Sequence, residues 1–526
     1  MNTADFLNIT CAICPERAMM VFGEETCTYA DTEARVNKLG RVLTELGVEK
    51  GDRVGMLQVN CPQYVEAYFA TARIGAIFVP LNFRAKADEL SYMLRNAEVK
   101  TLFTGNRYLE LVAAMLPELP DVRHCITVDE KKEGFLYYRE LLDNASPEEI
   151  FCEVEDDDIT ILMYTAGTTG RPKGVPIRHS GLTNYILENV EPVDPETEER
   201  NLLAVPLYHI AGMQTLVAAV YGGRTLVLMK QFDVKEWLAT AEREKVNRAM
   251  LVPSMLKWII DAPDFNKYDL SHLKIMTYGA APMPFEVINK AIGVMPWVSF
   301  INAFGQTETA STITSLGPDD HKLDGLNEGE RARKIRRLTS SIGKPLPDVE
   351  IKIIDEEGTV LPAGEVGEIM ARGPRVMTGY WRDEEKTAQV ITADGWLRTS
   401  DKGWMDEDGY IYLAGRADDM IIRGGENISP DEVESVLYSH PKIEEAAVIA
   451  VPDPQWGQEP CAVCVLKEGQ EASAEEIMGY CREKLAGFKR PRTVIFTECL
   501  PRNQMGKVLR KSLREQYGKV REVTEE

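Results

Sequence analysis

From Tyr29 to about Ile150 the chain alternates helical and strand-like periodicity, in the order DTEARVNKLGRVLTELG, DRVGMLQV, PQYVEAYFATARIG and AIFVPLN. Val36, Leu39, Val42, Leu43 and Leu46 fall on one face of a 3.6-residue helix, for which Asp31 reads as the N-cap. Such alternation predicts an α/β body, because a crossover helix returns the chain to pair its strands in parallel. The rhythm continues through ITILMY (159–164), TLVLM (225–229) and WVSFINAF (297–304), without a repeat of fixed period.

After Ile342 the pattern changes to short strands separated by EEG, ADG and DEDG turns, which predicts a β-rich subdomain packed on the main body. Beyond GRADDM (415–420) a second, complete α+β pattern begins. Ser429-Pro430-Asp431-Glu432 and Ser473-Ala474-Glu475-Glu476 read as capping boxes, and AAVIAV, CAVCVL and TVIF read as strands. The expected division is a large N-terminal domain over 1–417 and a small C-terminal lid over 418–526.

Composition excludes several classes. A formal charge of -23 argues against a nucleic-acid coat or a binder of anionic membranes, so an anionic ligand must find a local positive patch. Residues 201–223 carry no formal charge over about the length of a membrane span, but Pro206, His209, Gln214 and three glycines mark a buried core segment, and no span is expected. The first residues lack a basic stretch followed by an apolar one, which points to the cytoplasm. Two CxxC pairs, Cys11/Cys14 and Cys461/Cys464, could together suggest zinc, but strand alternation in CAVCVL sends Cys461 and Cys464 to opposite faces. The run RARKIRR (331–337) holds five basic residues in seven and reads as a solvated face rather than a phosphate site.

The segment YTAGTTGRPKGV (164–175) carries the strongest chemistry. Gly167, Gly170 and Gly174 permit close backbone approach, Thr165, Thr168 and Thr169 offer hydroxyls, and Lys173 supplies a positive charge, which together suit a phosphate cradle between a strand and a helix. It is not a Walker A loop, since Gly174 follows Lys173 where Ser or Thr would hold magnesium.

With YGAAPMP (278–284), NAFGQTET (302–309), GWLRTSD (395–401), GRADDMIIRGGENISPDEVE (415–434) and PRNQMGKVLRK (501–511), this segment resembles the successive core motifs of the adenylate-forming superfamily, in the family's order. That superfamily includes acyl-CoA and aryl-CoA synthetases, luciferases and peptide-synthetase adenylation domains. The resemblance implies an α/β adenylating domain with a mobile C-terminal domain, acting as an AMP-forming carboxylate–CoA ligase that uses ATP, Mg2+ and CoA. It implies Lys507 as the catalytic lysine, Thr165, Thr168, Thr169, Gly170 and Lys173 on the phosphates, and Glu308 with Thr165 on magnesium. Nucleotide contacts would come from Gly279, Ala280, Ala281, Asn302, Ala303, Phe304, Gly305, Thr307, Asp401 and Arg416. Asp418 would be the hinge, Gly424 and Gly425 would line the pantetheine path, and Lys489, Arg490 and Arg492 would meet the CoA phosphates.

Two positions depart from the family's usual residues: Ala166 stands where Ser is common, and Phe304 where Tyr is common. Phe304 keeps a ring face for adenine but lacks a polar tip. His209, Tyr185, Ile210, Ala211 and Ala303 would form an apolar acyl pocket for an alicyclic, aromatic or short-to-medium acyl group. PLYHIAGMQ offers no Asp to pair with an α-amino group, which disfavours amino acid substrates. Three alternatives stay open: loading of a carrier-protein pantetheine, a non-catalytic nucleotide sensor, and a luciferase-like oxygenase. The acid, the direction of the reaction and homo-oligomer formation are not specified by these motifs.

Overall fold

The computed structural model describes residues 1–165, 171–416, 419–423, 426–453, 455–502 and 508–518. Three sheets organise them. In the largest, a parallel run comprises Ala18–Phe22, Thr225–Leu228, Arg200–Leu203, Arg248–Leu251, Ile275–Gly279 and Ser299–Gln306, in spatial order. An antiparallel run then continues through Ser311–Leu316, Ser341–Pro345, Ile411–Arg416, Leu397–Met405, Gly367–Arg372 and Glu350–Ile354. The predicted β-rich subdomain is thus an extension of the main sheet rather than a separate layer.

The second sheet has seven strands, in the order Leu136–Tyr137, His124–Thr127, Val99–Thr104, Arg53–Leu57, Ile77–Pro80, Ile159–Thr165 and Lys173–Arg178. Only its last pair is antiparallel. A single apolar cluster joins the two sheets through helices Pro62–Arg73 and Ile210–Tyr221. Those helices are apolar on nearly every side because they are covered from both sides. The uncharged stretch 201–223 is therefore core. Among the described residues, no helix is long and apolar enough to cross a membrane.

Helix Tyr29–Glu45 buries Val36, Leu39, Val42 and Leu43 as its periodicity requires. Its N-cap is Thr28 and not Asp31. The Thr28 hydroxyl accepts from Asp31 N at 3.0 Å, and the Asp31 carboxylate accepts from Thr28 N at 3.0 Å. The helix can start three residues earlier because strand Glu25–Thr28 ends there and Tyr29 is itself buried.

Residues 421–496 supply a separate sheet from Glu426–Ile428, Ile421–Arg423, Gly457–Leu466, Ile443–Asp453 and Thr493–Phe496. Cys461 packs with Ile449, Val463 and Leu513, whereas Cys464 packs with Ile421, Val433 and Cys481, so the two thiols take opposite faces. No group of metal-binding side chains is found among the described residues. Ser473 caps helix Ala474–Lys484 by accepting from Glu476 N. Ser429 heads helix Pro430–Tyr438 without a side-chain cap bond, and its buried hydroxyl has no partner, so the first expected capping box does not form.

The basic run belongs to helix Glu328–Ser340. Arg336 lies 4.7 Å from the Trp404 ring centre, Arg337 lies 3.6 Å from that of Tyr410, and Trp404 stacks on Tyr412 at 4.0 Å. Arg331, Arg333 and Arg336 are exposed, as a solvated face requires, while cation–π contacts of Arg336 and Arg337 hold this helix to the antiparallel strands.

Candidate active site

A cavity of about 600 Å3 opens at the carboxyl ends of the parallel strands Ile275–Gly279 and Ser299–Gln306. Ligands of open α/β sheets bind at such ends, where loops diverge and leave a crevice. Thr165 and Lys173 reach this cavity from the second sheet. They are direct register partners on two antiparallel strands, and the following helix starts only at His179. The expected strand-to-helix connection is thus replaced by strand-to-strand. Lys173 must bring its charge through its own side chain, without a helix N-terminus behind it. Thr168, Thr169 and Gly170 lie outside the described residues, as do Lys507, Asp418, Gly424 and Gly425.

Glu308 sits in the one-turn helix Thr307–Thr309 and, with Thr307, lines the cavity. Tyr380 donates its hydroxyl to Glu308 Oε1 at 3.0 Å, and Met377 N donates to the Glu308 carbonyl at 2.8 Å. The Lys173 ammonium lies 4.8 Å from the centre of the same Tyr380 ring. One tyrosine thus orients the carboxylate and meets the cation from two different sheets.

The backbone here is strained. Ala280, Ser311 and Ser400 all have positive φ (66°, 104° and 60°) and all line the cavity, and Ala310 adds a φ of 47° beside Ser311. Left-handed conformations at non-glycine residues concentrate where surrounding structure holds them for function. Gly279 and Gly305 are required by close strand contact: a β-carbon would strike the carbonyl of Ala303 at the first and of Ser311 at the second.

Of the expected nucleotide contacts, Ala280, Ala303, Gly305 and Thr307 lie on the cavity wall. Among the described residues Gly279, Asn302, Phe304 and Asp401 do not. Phe304 packs against Ile313, Ile342, Ile353 and Ile411, and a register shift between Phe304 and Gly305 alters the strand's alternation at this point. Its ring therefore serves the core between sheet and subdomain, rather than standing free as an adenine face. Asp401 is buried behind Gln306, whose Nε2 donates to it at 2.7 Å. Asp401 and Arg416 are register partners, so these two expected nucleotide contacts share one place on adjacent strands. Ala281 lies instead in a cleft with Met283, Tyr438 and Arg502.

The expected acyl-pocket residues His209, Tyr185, Ile210, Ala211 and Ala303 all line the same cavity. His209 is fully neutral at physiological pH, because burial and then the Arg84 charge push its pKa down to about 3. Its Nε2 has no hydrogen-bond partner among the described residues. The pocket is less apolar than expected: Gln214, Ser311 and Thr312 also stand on its wall, with Ser311 Oγ and Thr312 Oγ1 both donating to Gln214 Oε1. In the C-terminal part Lys489 is held by Glu432 at 2.7 Å, and Arg490 donates to the Leu485 carbonyl at 2.8 Å. These contacts engage both side chains within their own sheet domain.

The family model of the AMP-binding enzymes matches residues 8–381, and that of the AMP-binding enzyme C-terminal domain matches 432–507. The chain belongs to the AMP-binding enzyme family. A feruloyl-CoA synthase from Amycolatopsis sp is 36% identical over 506 residues, 96% of each chain. An indoleacetate–CoA ligase from Aromatoleum aromaticum is 31% identical over 98% of each. The solved structure of the anthranilate CoA ligase AuaEII with anthranoyl-AMP superposes with a TM-score of 0.89 at 29% identity, covering 98% of this chain and 97% of that one. The fold is that of the adenylate-forming superfamily, and the protein is an AMP-forming aryl/acyl-CoA ligase.

Several cavity residues of this ligase carry no obvious local signal. Gln214 is the most readable, since Ile210, Gln214 and Ala218 recur every fourth residue and all three line the cavity. Tyr380 sits in a short connecting segment and Thr399 in strand Leu397–Met405, and only tertiary pairing brings them to Glu308 and Gln306.

Proposed function

We propose that this ligase activates an aromatic, alicyclic or short-to-medium acyl carboxylate. In the first step a carboxylate oxygen attacks the α-phosphorus of ATP, forming acyl-AMP and releasing pyrophosphate. In the second the CoA thiol attacks the acyl carbon and AMP leaves. The observation that carries this reading is one cavity in which Thr165, Lys173 and Glu308 adjoin Tyr185, His209 and Ala303. A phosphate-binding charge, a carboxylate and an acyl wall share a single enclosure.

Lys173 would hold the β/γ phosphates as a point charge, and Thr165 would donate its hydroxyl. A carboxylate and a hydroxyl fit magnesium, a hard cation that takes few protein ligands and completes its shell with phosphate oxygens and water. When bound there, magnesium would neutralise charge that develops on the leaving pyrophosphate. Tyr380 occupies Glu308 Oε1, which orients the carboxylate for such a role. Lys507, by the family resemblance, would stabilise charge between the attacking carboxylate and the α-phosphate. Rotation about Asp418 would then bring Gly424 and Gly425 to the CoA path. The neutral His209 would keep the acyl side free of a second positive charge. None of the ten cysteines forms a disulfide, which suits a reducing, cytoplasmic setting.

The test is pyrophosphate release from ATP with magnesium across a panel of carboxylic acids, with and without CoA, for the natural enzyme and Lys507→Ala. Acid-dependent release that needs CoA for repeated turnover and collapses in the variant is expected. No release with any acid would overturn the reading.

A further inference from the structure

The active-site cavity extends well beyond the place of an acyl carboxylate. It follows strand Ile275–Gly279 from the level of Gly279 and Ala303, through Thr277 and Ile301, to Ile275 at the other end. Four residues of strand span about 13 Å. His209, Ile210 and Ala211 cover the near part, whereas Asn201, Arg224 and Arg248 stand on the wall with Ile275. Asn201 and Arg248 meet there because they are register partners on adjacent parallel strands.

This remote end is short of hydrogen-bond acceptors. Asn201 is only 6% exposed, and its Nδ2 has no hydrogen-bond partner among the described residues. An unmatched buried donor of this kind is destabilising until an acceptor arrives. Glu199 accepts from Nε of Arg224 at 3.0 Å and from Nε of Arg248 at 2.7 Å, so one carboxylate serves two guanidiniums. Burial and then the neighbouring Arg248 charge hold the Arg224 pKa below its ordinary value. A hydrocarbon placed against this wall would leave the Asn201 amide unmatched and would desolvate a net positive pair.

We propose that the acid carries an oxygen acceptor at the end remote from its carboxylate, read by Asn201 Nδ2 together with the Arg224–Arg248 pair. The inference rests on the acid–CoA ligase reading and narrows it to oxygenated acids. Hydroxyl, alkoxyl, carbonyl and a second carboxylate share the required chemistry. A site built to bond a substrate oxygen rejects the analogue lacking it far more strongly than a hydrophobic pocket rejects a missing methylene.

The experiment measures kcat/KM for pyrophosphate release with two matched pairs: 3-phenylpropenoate against its 4-hydroxy derivative, and octanoate against octanedioate. The oxygenated member of one pair should win by about tenfold or more. Asn201→Leu should lower kcat/KM for that member by about tenfold through KM, while its hydrocarbon partner stays within about twofold. Arg248→Gln should act most on octanedioate if the acceptor is a carboxylate, and Asn201→Leu most on the hydroxy acid if it is neutral. Should Asn201→Leu fail to fold, Asn201→Asp removes the donor at constant size and is read in the same way. Equal kcat/KM within both pairs, or discrimination that neither substitution changes, overturns this inference and leaves the ligase reading standing. Silence with every acid of the wider panel overturns both.

Discussion

Tyr380 links two groups that the phosphate chemistry needs, donating to Glu308 through its hydroxyl and meeting Lys173 through its ring. Tyr380→Phe keeps the ring and removes only the donor. A hydrogen bond to a charged group contributes about 1.5–3 kcal/mol, so pyrophosphate release should slow by roughly 10- to 100-fold. The magnesium concentration for half-maximal release should also rise, because Glu308 loses its orientation. An unchanged magnesium dependence would show that Tyr380 merely packs. His179 and His209 make a separate prediction about stability. Both are buried with pKa values pushed down to about 3, and His179 Nδ1 accepts from Thr3 N at 3.1 Å. An unfolded histidine titrates near about 6.5. Below that value the unfolded chain binds protons that the folded chain refuses, so stability falls progressively as pH drops from about 6.5 toward 3 and is level above it. Each histidine contributes a slope of about 1.4 kcal/mol per pH unit in that window. Urea midpoints at about pH 7 and pH 5.5 should therefore separate in the natural protein and separate less in His179→Gln.

At the scale of elements, the decisive contact is between strand Ser299–Gln306 and strand Ser311–Leu316, which pair antiparallel around Glu308. Gly305 admits the Ser311 carbonyl where a β-carbon would collide with it. Backbone cannot yield there without breaking the Gly305↔Thr312 pairing. Gly305→Ala should accordingly cost about 1–3 kcal/mol and displace Glu308, lowering the thermal midpoint and pyrophosphate release together. Gly317→Ala, where nothing stands within 4 Å, is the control and should change neither. The hairpin Ile159–Thr165/Lys173–Arg178 has a related logic. Register pairing of Thr165 with Lys173 sets where the loop's two flanking side chains meet the cavity, so a shift of one residue would turn both to the other face.

At the scale of the whole molecule, Lys257 of helix Pro253–Ile260 forms an ion pair with Glu444 of strand Ile443–Asp453, across the contact between the main body and the C-terminal sheet. Both Lys257 and Asp261 take part in a small network there, with Lys290 on Asp261. The pair belongs to this arrangement of the two parts, and breaking it should release the arrangement by about 1 kcal/mol or less, since both groups reach solvent. Lys257→Glu should broaden the size distribution in small-angle scattering and alter the rate of pyrophosphate release. The double exchange Lys257→Glu with Glu444→Lys should restore both. Recovery in the double variant separates a true pairing from two independent surface effects.

Short-range pattern determined much of this protein. Helical periodicity in 29–45, strands such as Thr225–Leu228, and the opposite faces of Cys461 and Cys464 each follow from local side-chain pattern, which states which face will be buried. The motifs that carry Thr165, Lys173, Glu308 and His209 were legible through their resemblance to a family's ordered motifs, which also implied Tyr185, and all five reach one cavity. What tertiary structure decided are pairings across long separations: Tyr380 with Glu308, Gln306 with Asp401, Asn201 with Arg248, and Arg336 with Trp404. It also decided what Phe304 packs against, and the N-cap of a helix at Thr28 rather than Asp31. Periodicity states which face of an element is covered, whereas sheet order and register choose its neighbours, and that choice depends on packing summed over the entire body.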